Sequence, residues 1–283
     1  MLPLALLSRY VFTAGEEVHV PFRIANYGKT GLEGPCAWSL EGEGLALSGE
    51  TDSFRVPAGS LSGIKSFSFR LPDAAGAVKL TLSLLFCGSP NTYPLWVYPD
   101  AEPVCPADVL ECRALDRHAL AVLASGGKVY LAPDSTAEAL PRSVQAQFSP
   151  DFWSVCTFPS QSGCMGQLID AEHRLIRTFP TECFSSWQWH PMAGQRAVLL
   201  PRKMKAIVTE MDSCALLRPM AQLFECRCGG GRLMVSSLGL HQLKQAPNVR
   251  ALQKAIYDYM ASDLVCPEEE LSPEAAKAFL PCR

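Results

Sequence analysis

Between Tyr10 and Pro99 apolar and polar residues alternate in short runs punctuated by Gly, Pro, Asn and Asp. In EEVHVPFRIAN, Val18, Val20, Phe22 and Ile24 point one way, while Glu17, His19, Pro21 and Arg23 point the other. A repeat of two marks a strand with one buried face. CAWSLEG, SFRVPAG, IKSFSFRLP, AVKLTLSLLF and YPLWVYP continue the series, and in VKLTLSLLF the residues Val78, Leu80, Leu82 and Leu84 share a face. This succession of strands, with no helical pattern among them, predicts an antiparallel β-sandwich of immunoglobulin-like type over residues 1–99. A Cys…Trp…Cys pattern at antibody spacing is absent.

DAEPVCPAD, residues 100–108, is rich in Pro and Asp and reads as a linker. After it the rhythm changes. VLECRAL predicts a strand, and DRHALAVLASGG a helix with Leu120 and Leu123 inward and a stop at Gly126-Gly127. KVYLAP is a short buried strand, DAEHRLIRTF a helix, and RAVLLP and KAIVTEM are strands. AQLFECRC and RLMVSSL form a pair joined by Gly229-Gly230-Gly231. PNVRALQKAIYDYMASD is an amphipathic helix, with Pro247 near its start and a stripe of Val249, Leu252, Ile256 and Met260. Strands interleaved with helices predict an open α/β sheet, flavodoxin-like and covered on both faces, over residues 109–265. Residues 266–283 are expected to be a tail holding a short helix and a loose end.

Composition narrows the function classes. A chain of 283 residues suits two domains, and 48% apolar with 19% charged residues is globular usage. Lys and Arg number 25 against 28 Asp and Glu, a net charge of −3 without a basic block, so nucleic acid is not an expected partner. The 12 cysteines are scattered, several within apolar runs, as expected of small hydrophobes in a reducing compartment. MLPLALLSRY lacks the basic start and cleavage site of a signal peptide, and no segment approaches the ~20 apolar residues of a membrane span. A cytoplasmic protein without membrane contact is expected.

Candidate chemistry is sparse. SGCMG, residues 162–166, is close to a nucleophile elbow, but the spacing departs from G-x-C-x-G. Cys164 would be its nucleophile, with His173 or His190 as base and Glu182 as orienter. Cys226 and Cys228 share one face of a strand but lack a second ligand pair, so neither a metal nor another cofactor is expected. The densest feature is aromatic. Trp153 follows a Ser-Pro-Asp helix start, and FPTECFSSWQWHP gathers Phe179, Phe184, Trp187, Trp189 and His190 around Glu182. Exposed rings beside carboxylates and imidazoles suit sugars. The same rings also suit packing of a helix on a sheet, and Trp187 and Trp189, two residues apart, cannot both face a core. The carboxylate pairs Glu16-Glu17 and Glu268 to Glu270 have no acid and nucleophile arrangement.

YVFTAGEEVHVPFRIANYG, CAWSLEGEG and NTYPLWVYPD resemble the β-sandwich that follows the catalytic barrel in a bacterial subgroup of family 2 glycoside hydrolases, the β-galactosidase-like proteins. GGKVYLAPDS, FSPDFWSVCTFPSQ, GQLIDAEHRLIRTFPTE, SSWQWHP, FECRCGGGRLMVSSLGL and LQKAIYDYMASD resemble the following α/β domain, similar to class I glutamine amidotransferases but usually without their triad. Members carry a jelly-roll domain and the barrel with both catalytic glutamates ahead of these modules, and neither is in this chain. The resemblance therefore implies a C-terminal, non-catalytic accessory region with no catalytic residue to carry over. Its implied partners are the catalytic barrel, in the same protein or a separate chain, carbohydrate, and a second copy of itself. The carbohydrate or interface candidates are Trp153, His173, Glu182, Trp187, Trp189 and His190. A cysteine-dependent hydrolase using Cys164 and a free-standing carbohydrate-binding protein are the alternatives.

Overall fold

Alternation along EVHVPFRIAN produces the strand Glu17–Asn26, with Val18, Val20, Phe22 and Ile24 buried. A computed structural model describes residues 1–148, 164–213 and 215–282, which divide into two compact units, Met1–Asp100 and Ala101–Arg283. Both are dominated by β-sheet.

In the first unit Glu17–Asn26 pairs antiparallel with Leu2–Ala5, Ser60–Leu61 and Lys65–Arg70. A second sheet runs Val11–Thr13, Ser89–Tyr98, Val78–Phe86, Cys36–Gly42 and Leu45–Glu50. It is antiparallel except where Val11–Thr13 lies parallel to Ser89–Tyr98. Val20, Phe22 and Ile24 from the first sheet and Leu80, Leu82, Leu84 and Leu95 from the second share one core. Trp38 of Cys36–Gly42 stacks on Phe67 of Lys65–Arg70, centroids 4.9 Å apart and planes within 6°. Gly49, opposite Trp38 in register, leaves room for the indole. The strand Leu2–Ala5 lies ahead of the predicted start at Tyr10. LPLA has no alternation to reveal it, and its pairing with residues 22–25 creates it.

The second unit holds a mixed sheet. Val109–Cys112, Lys128–Leu131 and Gly231–Ser236 are parallel neighbours. Gly231–Ser236 then pairs antiparallel with Met220–Cys228 through a turn in which Gly229 and Gly230 have φ of 58° and 96°. Arg196–Leu199, Ser143–Gln145, Val208–Asp212 and Cys164–Ile169 extend the sheet antiparallel. Asp116 caps the helix Arg117–Ala124 by accepting from the Ala119 N–H. This helix buries Ala119 and Leu123 fully, an i, i+4 stripe, and Leu120 packs partly buried against the same core.

Period two separates the two faces of this sheet. Val129 and Leu131 join the core containing Leu123, Phe279 and Leu280. Tyr130, between them, points to the other side and meets Tyr257 of the helix Pro247–Ala261 edge-on at 5.9 Å. That helix buries the predicted stripe of Val249, Leu252, Ile256 and Met260.

Two further expectations differ from the structure. DAEHRLIRTF forms only a short 3-10 turn, Arg174–Thr178, because Phe179 turns extended ahead of Pro180. The C-terminal residues are not a loose end. Glu270–Leu271 pairs parallel with Arg227 and Cys228, Ser272 caps the helix Pro273–Lys277, and Phe279 and Leu280 enter the core. The apolar burial of those two side chains anchors a segment whose acidic, alanine-rich composition looks solvated.

Candidate functional site

The WQW segment forms a 3-10 turn, Trp187–Trp189, leading into a helical turn, His190–Ala193. With three residues per turn, side chains two apart diverge. Trp189 is buried, donates its indole N–H to Thr181 Oγ1 at 2.8 Å and meets the Phe179 ring edge-on at 5.2 Å. It is a packing residue. Trp187 is 42% exposed. Its ring lies 5.1 Å from Phe148 and 5.9 Å from His190, and Phe148 and His190 are 5.1 Å apart, which groups three rings at the surface among the described residues. Glu182 is half-buried on the segment before this turn. Trp153 lies outside the described residues.

His173 belongs to a different constellation. It caps the 3-10 turn Arg174–Thr178, its Nδ1 accepting from the Leu175 N–H at 3.3 Å, which leaves the ring proton on Nε2. Nε2 faces Glu225 Oε1 at 3.5 Å, and the Tyr259 hydroxyl donates to the same oxygen at 3.1 Å. Glu225 is 11% exposed, and its Oε2 has no hydrogen-bond partner among the described residues. Burial first, and then the neighbouring Glu225 charge, raises the Tyr259 pKa, so this hydroxyl remains a donor.

These three residues line a cavity of about 500 Å³, with Asp170, Glu172, Arg174 and Lys205 among its other walls. Lys205 Nζ is held by Glu268 at 2.6 Å, and Glu269 is held by Arg202 at 2.7 Å. Spacing in the sequence pointed to neither Glu225 nor Tyr259. The available signal was a charged residue inside the apolar run AQLFECRC.

Cys164 opens the strand Cys164–Ile169 rather than sitting on a strand-to-helix turn. It is fully buried, and desolvation followed by the charges of Glu210 and Asp212 pushes its thiol up to about 12. A nucleophilic cysteine requires the reverse environment, one that favours thiolate. His173 is engaged by Glu225 and His190 by Phe148, so the proposed base positions lie in separate constellations.

Glu210 lies on the neighbouring strand, in register with Gln167. It is 2% exposed, neither carboxyl oxygen has a partner among the described residues, and burial raises its pKa to about 8. Beside it Gln167 donates to Gln222 Oε1 at 2.5 Å. Cys226 and Cys228 are buried free thiols, and no cluster of three or more His, Cys, Asp or Glu suited to a metal ion occurs among the described residues. No described helix is long and apolar enough to cross a membrane.

A β-rich unit followed by a mixed sheet bearing a polar cavity and a surface aromatic cluster is the protein class that emerges. The chain belongs to the family described as Domain of unknown function (DUF8487), which matches residues 110–281. Residues 16–99 match a second one, Domain of unknown function (DUF8488). No curated protein sequence matches the chain.

Among solved structures, the Pseudomonas fluorescens alkylpurine DNA glycosylase AlkC bound to abasic-site DNA is similar at 14% identity and a TM-score of 0.27, over 32% of this chain and 28% of that one. The Bacillus subtilis sporulation control protein Spo0M is similar at 19% identity and a TM-score of 0.25, over 36% and 49%. The apo Calx CBD1 domain is similar at 11% identity and a TM-score of 0.24, over 35% and 96%. This chain thus spans less than a third of the glycosylase and about half of Spo0M.

Proposed function

We propose that this chain is the non-catalytic accessory region of a β-galactosidase-like family 2 glycoside hydrolase. In this reading an immunoglobulin-like sandwich precedes an α/β domain of the flavodoxin-like, glutamine-amidotransferase-like kind, and the partner is the catalytic barrel. The kinship rests on the ordered sequence pieces from YVFTAGEEVHVPFRIANYG to LQKAIYDYMASD. Carbohydrate contact falls to the Trp187 surface, and one observation carries that assignment. Trp187 keeps an exposed indole while Phe148 and His190 brace it, whereas its neighbour Trp189 is spent on the core. A braced, solvent-facing indole offers a flat apolar surface to the C–H face of a pyranose and loses little side-chain freedom on binding.

Titration of the purified protein with galactose and lactose, followed by tryptophan fluorescence, tests this reading. A saturable change that disappears in Trp187→Ala, with circular dichroism unchanged, is expected. Comigration with a family 2 catalytic barrel on size-exclusion chromatography is the expected second result. Release of sugar from an aryl-β-galactoside by this chain alone would overturn the non-catalytic assignment. An unchanged spectrum at every sugar concentration would remove the carbohydrate surface.

A further inference from the structure

We propose that the cavity around His173, Glu225 and Tyr259 is a binding site for a small, neutral, polyhydroxylated molecule of monosaccharide size. None of the cavity's lining residues belongs to the Trp187 cluster, so this is a second site with its own chemistry. Its volume of about 500 Å³ falls within the usual span of small-molecule sites.

The walls indicate the ligand class. Asp170, Glu172 and Glu225 present carboxylates, Arg174 a guanidinium and His173 an imidazole, all planar groups. Planar forks match pairs of donors or acceptors on adjacent ligand atoms, as vicinal hydroxyls supply. Ile207, Leu264 and the Tyr259 ring supply an apolar wall for C–H groups. A hydroxyl can both donate to the carboxylates and accept from the guanidinium, so one kind of ligand group suits both signs of charge.

Other ligand classes fit less well. A phosphate would need free cations, but Lys205 is held by Glu268, and Asp170, Glu172, Glu225, Glu268 and Glu269 all line the same cavity, so carboxylates outnumber the cationic groups there. A divalent ion would need convergent ligands, and no such group occurs among the described residues. Within the site, Glu225 is the anchor. Tyr259 and His173 both direct donors at its Oε1, which fixes the carboxylate plane beneath the cavity.

Isothermal titration of the full chain with galactose, glucose, glucose 6-phosphate and glucosamine tests the proposal. A neutral hexose is expected to bind, and the phosphorylated hexose is expected not to, because the carboxylates repel it. Glu225→Gln keeps the shape but alters charge and hydrogen bonding, and is expected to weaken hexose binding by about tenfold or more. Asp170→Asn is expected to weaken binding without moving the thermal midpoint, which guards against a folding defect in the first variant. In a Trp187→Ala background, where the aromatic surface contributes no binding, the hexose titration of the cavity is expected to persist, so failure here and failure of the aromatic surface are separable. Binding of glucosamine without glucose, equal binding of the phosphorylated sugar, or a hexose affinity untouched by both carboxylate variants would each overturn the proposal.

Discussion

The Tyr259 hydroxyl donates to Glu225 Oε1 at 3.1 Å, tying the helix Pro247–Ala261 to the strand Met220–Cys228. Glu225 Oε2 has no partner among the described residues, so this bond accounts for much of what holds the carboxylate in place. Tyr259→Phe removes the donor and keeps the ring. A loss of about 1–3 kcal/mol is expected, the cost of leaving a buried acceptor short of a donor. Urea denaturation measures it, and an unchanged midpoint would mean that solvent replaces the hydroxyl.

Glu210 should make the second unit sensitive to pH. Its carboxyl titrates near 8 in the folded chain against an ordinary 4.5, because burial disfavours the charge. Between those values the unfolded chain has released the proton and the folded chain retains it. Rising pH therefore favours unfolding. The stability present below pH 4.5 is lost at about 1.4 kcal/mol per pH unit up to about 8, then levels off. Glu210→Gln is expected to flatten this slope when urea midpoints are compared across the window. Parallel slopes in the two proteins would assign the carboxyl an ordinary pKa.

The two tryptophans of the WQW turn should respond oppositely to truncation. Trp189→Ala empties a fully buried site and removes the bond to Thr181, with an expected cost of about 3–5 kcal/mol. Trp187→Ala is expected to stay within about 1 kcal/mol, as surface substitutions do. Thermal or chemical denaturation of both variants checks the order, and equal losses would place Trp187 in the core.

In the first unit, a side chain at Gly49 meets Trp38, since an added Cβ would lie 2.8 Å from the indole. Gly49→Val is expected to displace Trp38 from Phe67 and destabilise this unit by about 1–3 kcal/mol. Near-ultraviolet circular dichroism should register the lost stack. A variant with the parent's spectrum and midpoint would show that the indole tolerates the shift.

Cysteine labelling should separate Cys164 from the surface thiols. With its pKa pushed up to about 12, its thiolate fraction at neutral pH is on the order of 10⁻⁵. Cys87, Cys183, Cys266 and Cys282 are exposed and are expected to be alkylated first by iodoacetamide, as read by peptide mass spectrometry. Early modification of Cys164 would revive the hydrolase alternative.

Much of the fold was legible because its strands and long helix declare their own periods. Val18 to Ile24 alternate, and Val249, Leu252, Ile256 and Met260 keep helical spacing, whatever packs against them. The strand Leu2–Ala5 and the buried Phe279 and Leu280 carried no such mark. Their order comes from partners far away in the chain. The aromatic segment was visible as a composition, but the opposite fates of Trp187 and Trp189 depend on which side of a short turn meets the sheet.

The sequence by itself determined a β-rich first half, the change of rhythm near residue 100, and the apolar faces of the main strands and the long helix. Those properties are local, since side-chain alternation and helical spacing follow from the backbone's own geometry. Only the tertiary structure decided that His173 leaves the aromatic group to join Glu225 and Tyr259, residues 52 and 86 positions further on. It also decided that Cys164 and Glu210 are both buried on paired strands, close enough for the Glu210 charge to act on the thiol. These are long-range meetings fixed by strand order and helix docking, and no spacing along the chain encodes them.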